Sequence, residues 1–192
     1  MEYKTFISII AVLLTFIGYI PYLKDTFSGK TTPHIYTWFI WGFVTAIAFG
    51  LQISGGAGVG SWVTLAVVII SAIIFSIGLK NGKKDITTFD TFFLLLSFVA
   101  LFLWLFAKQP VISVILVSSI DMLGFVPTIR KSWNNPYTET LFSYELNAFR
   151  HGISIIALQQ YNVVTWLYPI TWTIANILFS IMLIARRRQI KK

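Results

Sequence analysis

Two apolar segments of this chain end in related stretches, GYIPYLK at residues 18–24 and GFVPTIR at residues 124–130. Both follow the pattern Gly-x-x-Pro-x-x-(Lys/Arg), and the second copy begins 106 residues after the first. A shorter match lies further along each half, where FSI at residues 75–77 recurs at residues 179–181. Recurrence of these patterns at nearly constant spacing predicts that the chain is an internal duplication.

The composition is typical of a membrane protein. Of the 192 residues, 56% are hydrophobic and only 11% are charged, which is too few charges to cover a water-soluble fold of this size. The net charge of +8 does not indicate nucleic-acid binding, because the Lys and Arg residues stand between and after the apolar runs. The absence of cysteine excludes disulfides, thiolate metal sites and cysteine nucleophiles. We therefore expect an all-α integral membrane protein.

The apolar runs divide into seven segments, each close to the roughly 20 residues that cross a hydrocarbon core. Turn-forming residues separate them, and the glycine-rich stretch at residues 54–60 is expected to be only a flexible external turn. The predicted transmembrane helices are 5–24, 35–53, 61–79, 90–107, 110–131, 138–159 and 162–185.

Positive charge is concentrated on one side of these segments. Twelve of the fifteen Lys and Arg residues lie in the first, third and fifth loops or in the C-terminal tail. Lys4 and Lys108 lie on the other side, and Arg150 falls within a predicted helix. The positive-inside rule then predicts a multi-pass protein of the cell (inner or plasma) membrane, with its N-terminus outside and its C-terminus cytoplasmic.

The repeat and the helix count together predict the organisation of the chain. A three-helix unit ends on the side opposite to its start, so a second copy in the same orientation needs one additional crossing. Helix 4 has no counterpart and supplies that crossing. The predicted order is a first three-helix repeat, a linker helix, a second three-helix repeat and a basic cytoplasmic tail: residues 1–80, 81–109, 110–185 and 186–192.

This arrangement, with a proline in the first helix of each repeat, resembles the PQ-loop superfamily, which includes the SWEET sugar transporters and lysosomal amino-acid exporters. The resemblance covers nearly the whole chain, although the Pro-Gln dipeptide of that family is here Pro21-Tyr22 and Pro127-Thr128. It implies alternating access between two parallel bundles, in which Pro21 and Pro127 act as hinges. The alternative is that both prolines are static kinks, since neighbouring helices tolerate them.

Polar residues of three consecutive predicted helices reach a similar depth. At about 1.5 Å per residue, Asp121, Asn147, Arg150 and Asn176 all lie roughly 13–18 Å from the predicted cytoplasmic surface. A charged group at that depth costs several kcal/mol if it faces lipid, so these side chains are expected to face the interior of the bundle. The predicted substrate-binding residues are Asp121, Asn147, Arg150, Trp172, Asn176, Tyr144 and His151.

The cluster also has a second interpretation, in which Asp121 and Arg150 form a structural ion pair that joins helices 5 and 6. The positions that match Asp121 and Asn176 in the first repeat are Thr15 and Ala72. The resemblance implies a SWEET-like pocket lined by Trp and Asn, yet the polar groups come mainly from one half, which argues against a symmetric sugar clamp.

The function predicted from these features is a transporter or facilitator of a small polar solute, anionic or zwitterionic, with proton coupling through Asp121 as one option. One alternative is a receptor or accessory membrane protein, because the KDEL receptor has a similar bundle without transporting. Another is a structural partner in a membrane complex. We expect no catalytic residue, no metal and no cofactor. The expected partners are the solute and the lipid bilayer, without nucleic acid, and homo-oligomerisation stays open.

Overall fold

The computed structural model describes residues 2–28, 35–81, 88–134, 136–137 and 139–190. Every regular element in these residues is a helix. A 3-10 helix, Gly58–Ser61, precedes the third α-helix. The all-α prediction is confirmed, and each predicted segment coincides with one α-helix. The α-helices are α1 (Glu2–Phe27), α2 (Ile35–Ser54), α3 (Trp62–Asn81), α4 (Thr88–Leu105), α5 (Pro110–Asn134), α6 (Leu141–Ile156) and α7 (Val163–Gln189).

Local chemistry explains where several helices begin and end. α5 begins at Pro110, where a missing backbone N–H costs nothing. The Asn162 side chain caps α7 by accepting from the backbone N–H groups of Val164 and Thr165. α7 runs to Gln189, so the residues predicted as the start of the basic tail are helical. The apolar stretch ends before the helix does, because backbone hydrogen bonds continue through the arginines.

The surface of the bundle is apolar and much of its interior is polar. Large apolar side chains such as Phe6, Phe92 and Phe102 are more than half exposed, whereas hydroxyl and amide side chains such as Thr15, Gln52 and Asn176 are buried. Three stretches are long and apolar enough to cross a membrane: Glu2–Lys24, Gly58–Lys80 and Val163–Gln189. Shorter apolar helical stretches are Trp38–Ser54, Thr91–Leu105 and Pro110–Phe125. The number of helices that span a bilayer stays a prediction.

Helix packing follows the same pattern in both halves of the chain. α3 lies between α1 and α2, and α7 correspondingly packs against both α5 and α6. Across the halves, α1 packs against α6 and α5 packs against α2, while α4 packs against α5 and α2. If α1, α2 and α3 are exchanged with α5, α6 and α7, the same pairs of neighbouring helices result, apart from the pairs that include α4. The division into two repeats and a linker stays a prediction, and this packing agrees with it.

The glycines of the repeated motif occupy matching contacts between the halves. A Cβ atom at Gly18 would lie 3.2 Å from Leu146 Cδ2, on α6. A Cβ atom at Gly124 would lie 3.2 Å from Trp41 Nε1, on α2. In both places the absence of a side chain lets the first helix of one half approach the second helix of the other.

One end of the bundle is closed by hydrogen bonds between the α2–α3 and α6–α7 connections. The backbone N–H groups of Gln159 and Gln160 donate to the carbonyls of Ala57 and Gly56, at 3.0 and 3.1 Å. The Asn162 side chain donates to the Gly55 carbonyl at 2.8 Å. This pairing ends α6 at Ile156, three residues earlier than predicted, and makes the glycine-rich turn an ordered junction.

The close approach at this junction requires glycine. A Cβ atom at Gly60 would lie 2.8 Å from the backbone of Leu158, and Gly56 has φ 82°, a conformation that other residues rarely adopt. The N-terminal helix seals the same end, because Lys4 Nζ donates to the Leu158 carbonyl and Ser8 Oγ to the Val59 carbonyl, both at 2.6 Å. We call all the hydrogen bonds at this end the N-terminal closure, both those between the α2–α3 and α6–α7 connections and those of Lys4 and Ser8.

Candidate functional site

A polar cavity of about 80 Å³ lies inside the bundle, and every α-helix except α4 contributes to its lining. The volume corresponds to about two or three water molecules at about 30 Å³ each. Six of the seven residues predicted to bind substrate line it: Asp121, Asn147, Arg150, His151, Trp172 and Asn176. We call this space the central cavity.

The carboxylate of Asp121 is held by α7. It is 2% exposed, and its Oδ2 atom accepts from the Tyr168 hydroxyl at 2.7 Å and from Trp172 Nε1 at 3.3 Å. The Tyr168 hydroxyl also contacts Thr45 Oγ1 at 3.3 Å, which extends the network to α2. The other carboxylate oxygen, Oδ1, is buried and has no hydrogen-bond partner among the described residues.

The guanidinium of Arg150 is held by α6 and α1. The side chain is 3% exposed, its Nε donates to Asn147 Oδ1 at 2.8 Å, and a terminal nitrogen donates to Thr15 Oγ1 at 3.3 Å. The Tyr19 ring lies 5.8 Å from the guanidinium carbon, within cation–π range. These contacts leave further N–H groups of the guanidinium for another acceptor.

The two buried charges are not paired with each other. Among the hydrogen bonds and ion pairs of the described residues, Asp121 uses donors of α7 and Arg150 uses acceptors of α6 and α1. The alternative interpretation of a structural Asp121–Arg150 ion pair is therefore wrong in this structure. The reason is geometric, since α7 packs against both α5 and α6, the helices that carry Asp121 and Arg150.

Two further side chains carry unpartnered polar atoms at the cavity. Asn176 Nδ2 donates to the Trp172 carbonyl at 2.7 Å, while Asn176 Oδ1 is buried without a partner among the described residues. His151 stacks on Trp172, with ring centroids 6.4 Å apart and an interplanar angle of 18°, and its Nδ1 atom is likewise buried without a described partner. Since buried polar groups are normally hydrogen-bonded, these atoms leave hydrogen-bonding capacity unused beside the cavity.

Tyr144 does not line the central cavity. Its hydroxyl donates to Glu139 Oε2 at 2.7 Å, and its ring packs against Phe179 with a centroid separation of 4.4 Å and against Phe125 at 6.0 Å. It shares a helix with Asn147, but its side chain belongs to an aromatic layer beside the cavity. Helical spacing alone does not distinguish these two environments.

Sequence reasoning missed the partners that orient the charges. Tyr168 holds Asp121, and Thr15 and Tyr19 of α1 contact Arg150. The spacing of Tyr168 to Trp172 and Asn176 by four residues was an available signal. Thr15 gives no such signal, because a threonine in an apolar helix more often bonds to its own backbone, as Thr15 also does to the Ala11 carbonyl at 2.8 Å.

The predicted hinge residues lie inside helices. α1 continues through Pro21 to Phe27, and α5 continues past position 127 to Asn134. The side chain of Pro127 lies outside the described residues. A third proline, Pro169, stands inside α7 one residue after Tyr168 and is buried. The hinge role of Pro21 and Pro127 stays a prediction.

Comparison with protein-family models, curated proteins and solved structures gives no match. The resemblance to the PQ-loop superfamily therefore stays a prediction that rests on the repeated motif. Among the described residues, no group of three or more His, Cys, Asp or Glu is placed to hold a metal ion. The central cavity, with its two separated charges, is the best-defined candidate site.

Proposed function

We propose that this chain is an integral membrane protein that carries a small polar solute by alternating access, as the PQ-loop resemblance implies. The observation that carries the proposal is the central cavity, whose lining includes the buried side chains of Asp121 and Arg150 without an ion pair between them. A charge buried without a partner is costly, so proteins keep such groups mainly where a ligand uses them.

The distribution of polar and apolar side chains supports the membrane location. Exposed phenylalanine and aliphatic side chains cover α1 and α4, an arrangement that in water would create large apolar patches and aggregation. In a bilayer the same surface is solvated by lipid. Lipid tails offer no hydrogen bonds, so the interior polar groups can bond only to each other, to water or to a ligand.

The packing between halves supports movement of one half against the other. The cavity is lined from both halves, and the contacts of Gly18 with Leu146 and of Gly124 with Trp41 lie where the halves meet. The N-terminal closure joins the halves at one end. Opening at that end requires the two backbone hydrogen bonds between the connections to break, and with them the side-chain hydrogen bonds of Lys4, Ser8 and Asn162. Each is worth about 0.5–1.5 kcal/mol.

Membrane topology is tested with single cysteines, for which the cysteine-free chain is a clean background. Tyr161→Cys and Gln189→Cys place thiols at exposed positions at opposite ends of α7. In intact cells, a membrane-impermeant maleimide should label Tyr161→Cys and should label Gln189→Cys only after the cells are opened. Equal labelling of both in intact cells would contradict the proposed orientation.

Transport is tested in proteoliposomes by solid-supported-membrane recording, with pooled amino acids, organic acids and sugars as probes. The wild-type protein should give a current or uptake with one pool, and Asp121→Asn and Arg150→Ala should each remove it. Ser119→Ala is a matched control, because its exposed hydroxyl bonds only to the Ile115 carbonyl of its own helix. Binding without flux would favour the receptor alternative, and wild-type flux in both cavity variants would exclude the mechanism.

A further inference from the structure

We infer that an outer groove between α6 and α7 binds helix α1 of a second copy of this chain, so that copies associate side by side in the membrane. The groove has a volume of about 580 Å³ and shares no lining residue with the central cavity. We call it the outer groove. The contact requires the membrane location of the proposed function, but it does not require transport.

The outer groove has a floor of small side chains between larger walls. Ala148 and Gly152 are about one helical turn apart on α6, and Ser180 of α7 lines the groove with them. Small residues at such positions let another transmembrane helix approach closely. The walls are apolar, and they consist of Phe149, Ile153, Ile177, Ile181 and Ile184.

Two polar side chains of the outer groove have no partner. The Ser180 side chain is 6% exposed, and its hydroxyl is buried without a hydrogen-bond partner among the described residues. Glu145 is exposed, and within the described part of the chain its side chain forms no hydrogen bond or ion pair. A carboxylate that faces hydrocarbon is costly. The outer groove therefore suits an occupant that brings a cation and a hydrogen-bonding group to this depth.

The outer face of α1 has the complementary shape and charge. Bulky apolar side chains recur along it at spacings of three and four residues, and each is at least a third exposed: Phe6, Ile10, Leu13, Ile17 and Ile20. The next residue of this series is Lys24, which is exposed and whose side chain has no partner among the described residues. A ridge of large side chains packs into a groove of small ones, and its lysine supplies the missing cation.

Ser180 and Glu145 lie at one depth. A Cβ atom at Gly152 of α6 would lie 3.7 Å from Thr173 Cγ2 of α7. The two helices follow each other through a short connection and run antiparallel. Ser180 is seven residues beyond Thr173 and Glu145 is seven residues before Gly152, so both are displaced equally toward the predicted cytoplasmic surface.

Lys24 of a second copy reaches the depth of Glu145, because copies in the same membrane orientation keep the depth of every residue. α1 and α6 run antiparallel, and a Cβ atom at Gly18 would lie 3.2 Å from Leu146 Cδ2. Lys24 is six residues and Glu145 one residue nearer to the predicted cytoplasmic surface, so their Cα atoms differ in depth by roughly 7–8 Å. Side chains lean toward the N-terminus of their helix, which directs Lys24 toward the bilayer centre and Glu145 toward the cytoplasmic surface. The two charged groups thus approach each other.

The Ser180 hydroxyl finds an acceptor on the same face of α1. Pro21 stands inside α1 and has no backbone N–H, so the Ile17 carbonyl lacks its usual helical donor. Ile17 precedes Gly18 and lies within about 3 Å of the depth of Ser180. In membranes, serine side chains of neighbouring helices satisfy such freed carbonyls. We expect Ser180 to donate to the Ile17 carbonyl of the second copy.

Other occupants fit the outer groove less well. Two outer grooves that face each other would bring two Glu145 carboxylates to one depth, where like charges repel. An acyl chain provides neither a cation for Glu145 nor an acceptor for Ser180. Because α1 and the outer groove are different surfaces, the contact is head-to-tail, and it closes into a ring of three or more copies.

Cross-linking between single cysteines in native membranes tests the contact, because the chain has no cysteine of its own. Two differently tagged proteins, Ile17→Cys and Ile181→Cys, are co-expressed and oxidised with copper phenanthroline. We expect a disulfide-linked species that carries both tags, and at least about tenfold less of it when Phe98→Cys replaces Ile17→Cys. Phe98 is the matched control because it is exposed to the same extent as Ile17, on α4.

A charge exchange tests the ion pair. Glu145→Lys and Lys24→Glu should each lower the yield of this cross-link at least about tenfold, because like charges then meet in the contact. The protein with both substitutions should recover most of the yield, since opposite charges face each other again. Gly152→Leu, which fills the floor of the outer groove, should also remove the cross-link, and it keeps the test decisive if a charge variant does not reach the membrane.

Native mass spectrometry of the wild-type protein counts the copies, and we expect three or more. A monomer that retains phospholipid, a complex with another protein, or a dimer in which Ile181→Cys links mainly to itself would each overturn the inference. Full cross-linking in Glu145→Lys would do the same. If maleimide labelling contradicts the predicted topology, the proposed membrane orientation fails. Labelling as predicted without the cross-link overturns only the contact between copies.

Discussion

The Tyr168 hydroxyl donates a 2.7 Å hydrogen bond to Asp121 Oδ2, which joins α7 to α5 inside the central cavity. With Trp172 Nε1, it provides both hydrogen bonds to one carboxylate oxygen, while the other, Oδ1, is buried without a partner among the described residues. Tyr168 therefore acts as a positioning residue. Its hydrogen bond fixes the orientation of the carboxylate.

Removing this hydroxyl should destabilise the protein. Tyr168→Phe leaves Asp121 Oδ2 with only the 3.3 Å bond from Trp172, so we expect a loss of about 1–3 kcal/mol in the free energy of unfolding. Unfolding in mixed detergent micelles measures it. Tyr161→Phe is the matched control, since that exposed hydroxyl donates only to the Ile156 carbonyl, and it should change stability by less than about 0.5 kcal/mol. Equal effects of the two substitutions would refute the positioning role.

Thr15 is expected to matter through Arg150. Thr15→Val removes the acceptor of the 3.3 Å bond from the guanidinium and should cost about 1–3 kcal/mol in unfolding free energy, because a buried charged donor loses its partner. Thr26→Val on the same helix is the control: its buried hydroxyl bonds only to the Tyr22 carbonyl, and the expected loss is below about 1 kcal/mol. Chemical unfolding of both variants compares the losses. Tolerance of Thr15→Val would show that Asn147 and Tyr19 suffice to orient Arg150.

The glycines of the repeated motif should be intolerant of large side chains. Gly124→Val forces its new atoms against Trp41 Nε1, 3.2 Å from the Cβ position, and we expect a loss of about 1–3 kcal/mol in the free energy of unfolding. Gly18→Val should behave alike against Leu146. Gly152→Ala is the contrasting control, since its nearest neighbour, Thr173 Cγ2, lies at 3.7 Å, and it should be neutral or stabilising by up to about 1 kcal/mol. Thermal unfolding of the three variants provides the comparison, and a stable Gly124→Val protein would mean that the halves do not meet there.

Helix positions followed closely from the pattern of apolar runs and turn residues, because backbone hydrogen bonds are satisfied locally in a helix. The exceptions come from outside each helix. α6 ends at Ile156 because the main chain of Gln159 and Gln160 pairs with the α2–α3 connection. The glycine-rich turn likewise became ordered only because Leu158 lies against Gly60.

The polar cluster was also visible in the chain, because a charged residue in an apolar helix is so costly that it must face inward. Depth and helical face therefore selected six of the residues that line the cavity. Which atoms bond to which depends on how α1, α5, α6 and α7 meet, and no local pattern encodes that. In the folded chain Asp121 and Arg150 bond to different partners, which include Tyr168 for Asp121 and Thr15 for Arg150. Tyr144 packs in an aromatic layer beside the cavity. Side-chain reach across a helix interface is set by packing, so only the assembled bundle could fix these partners.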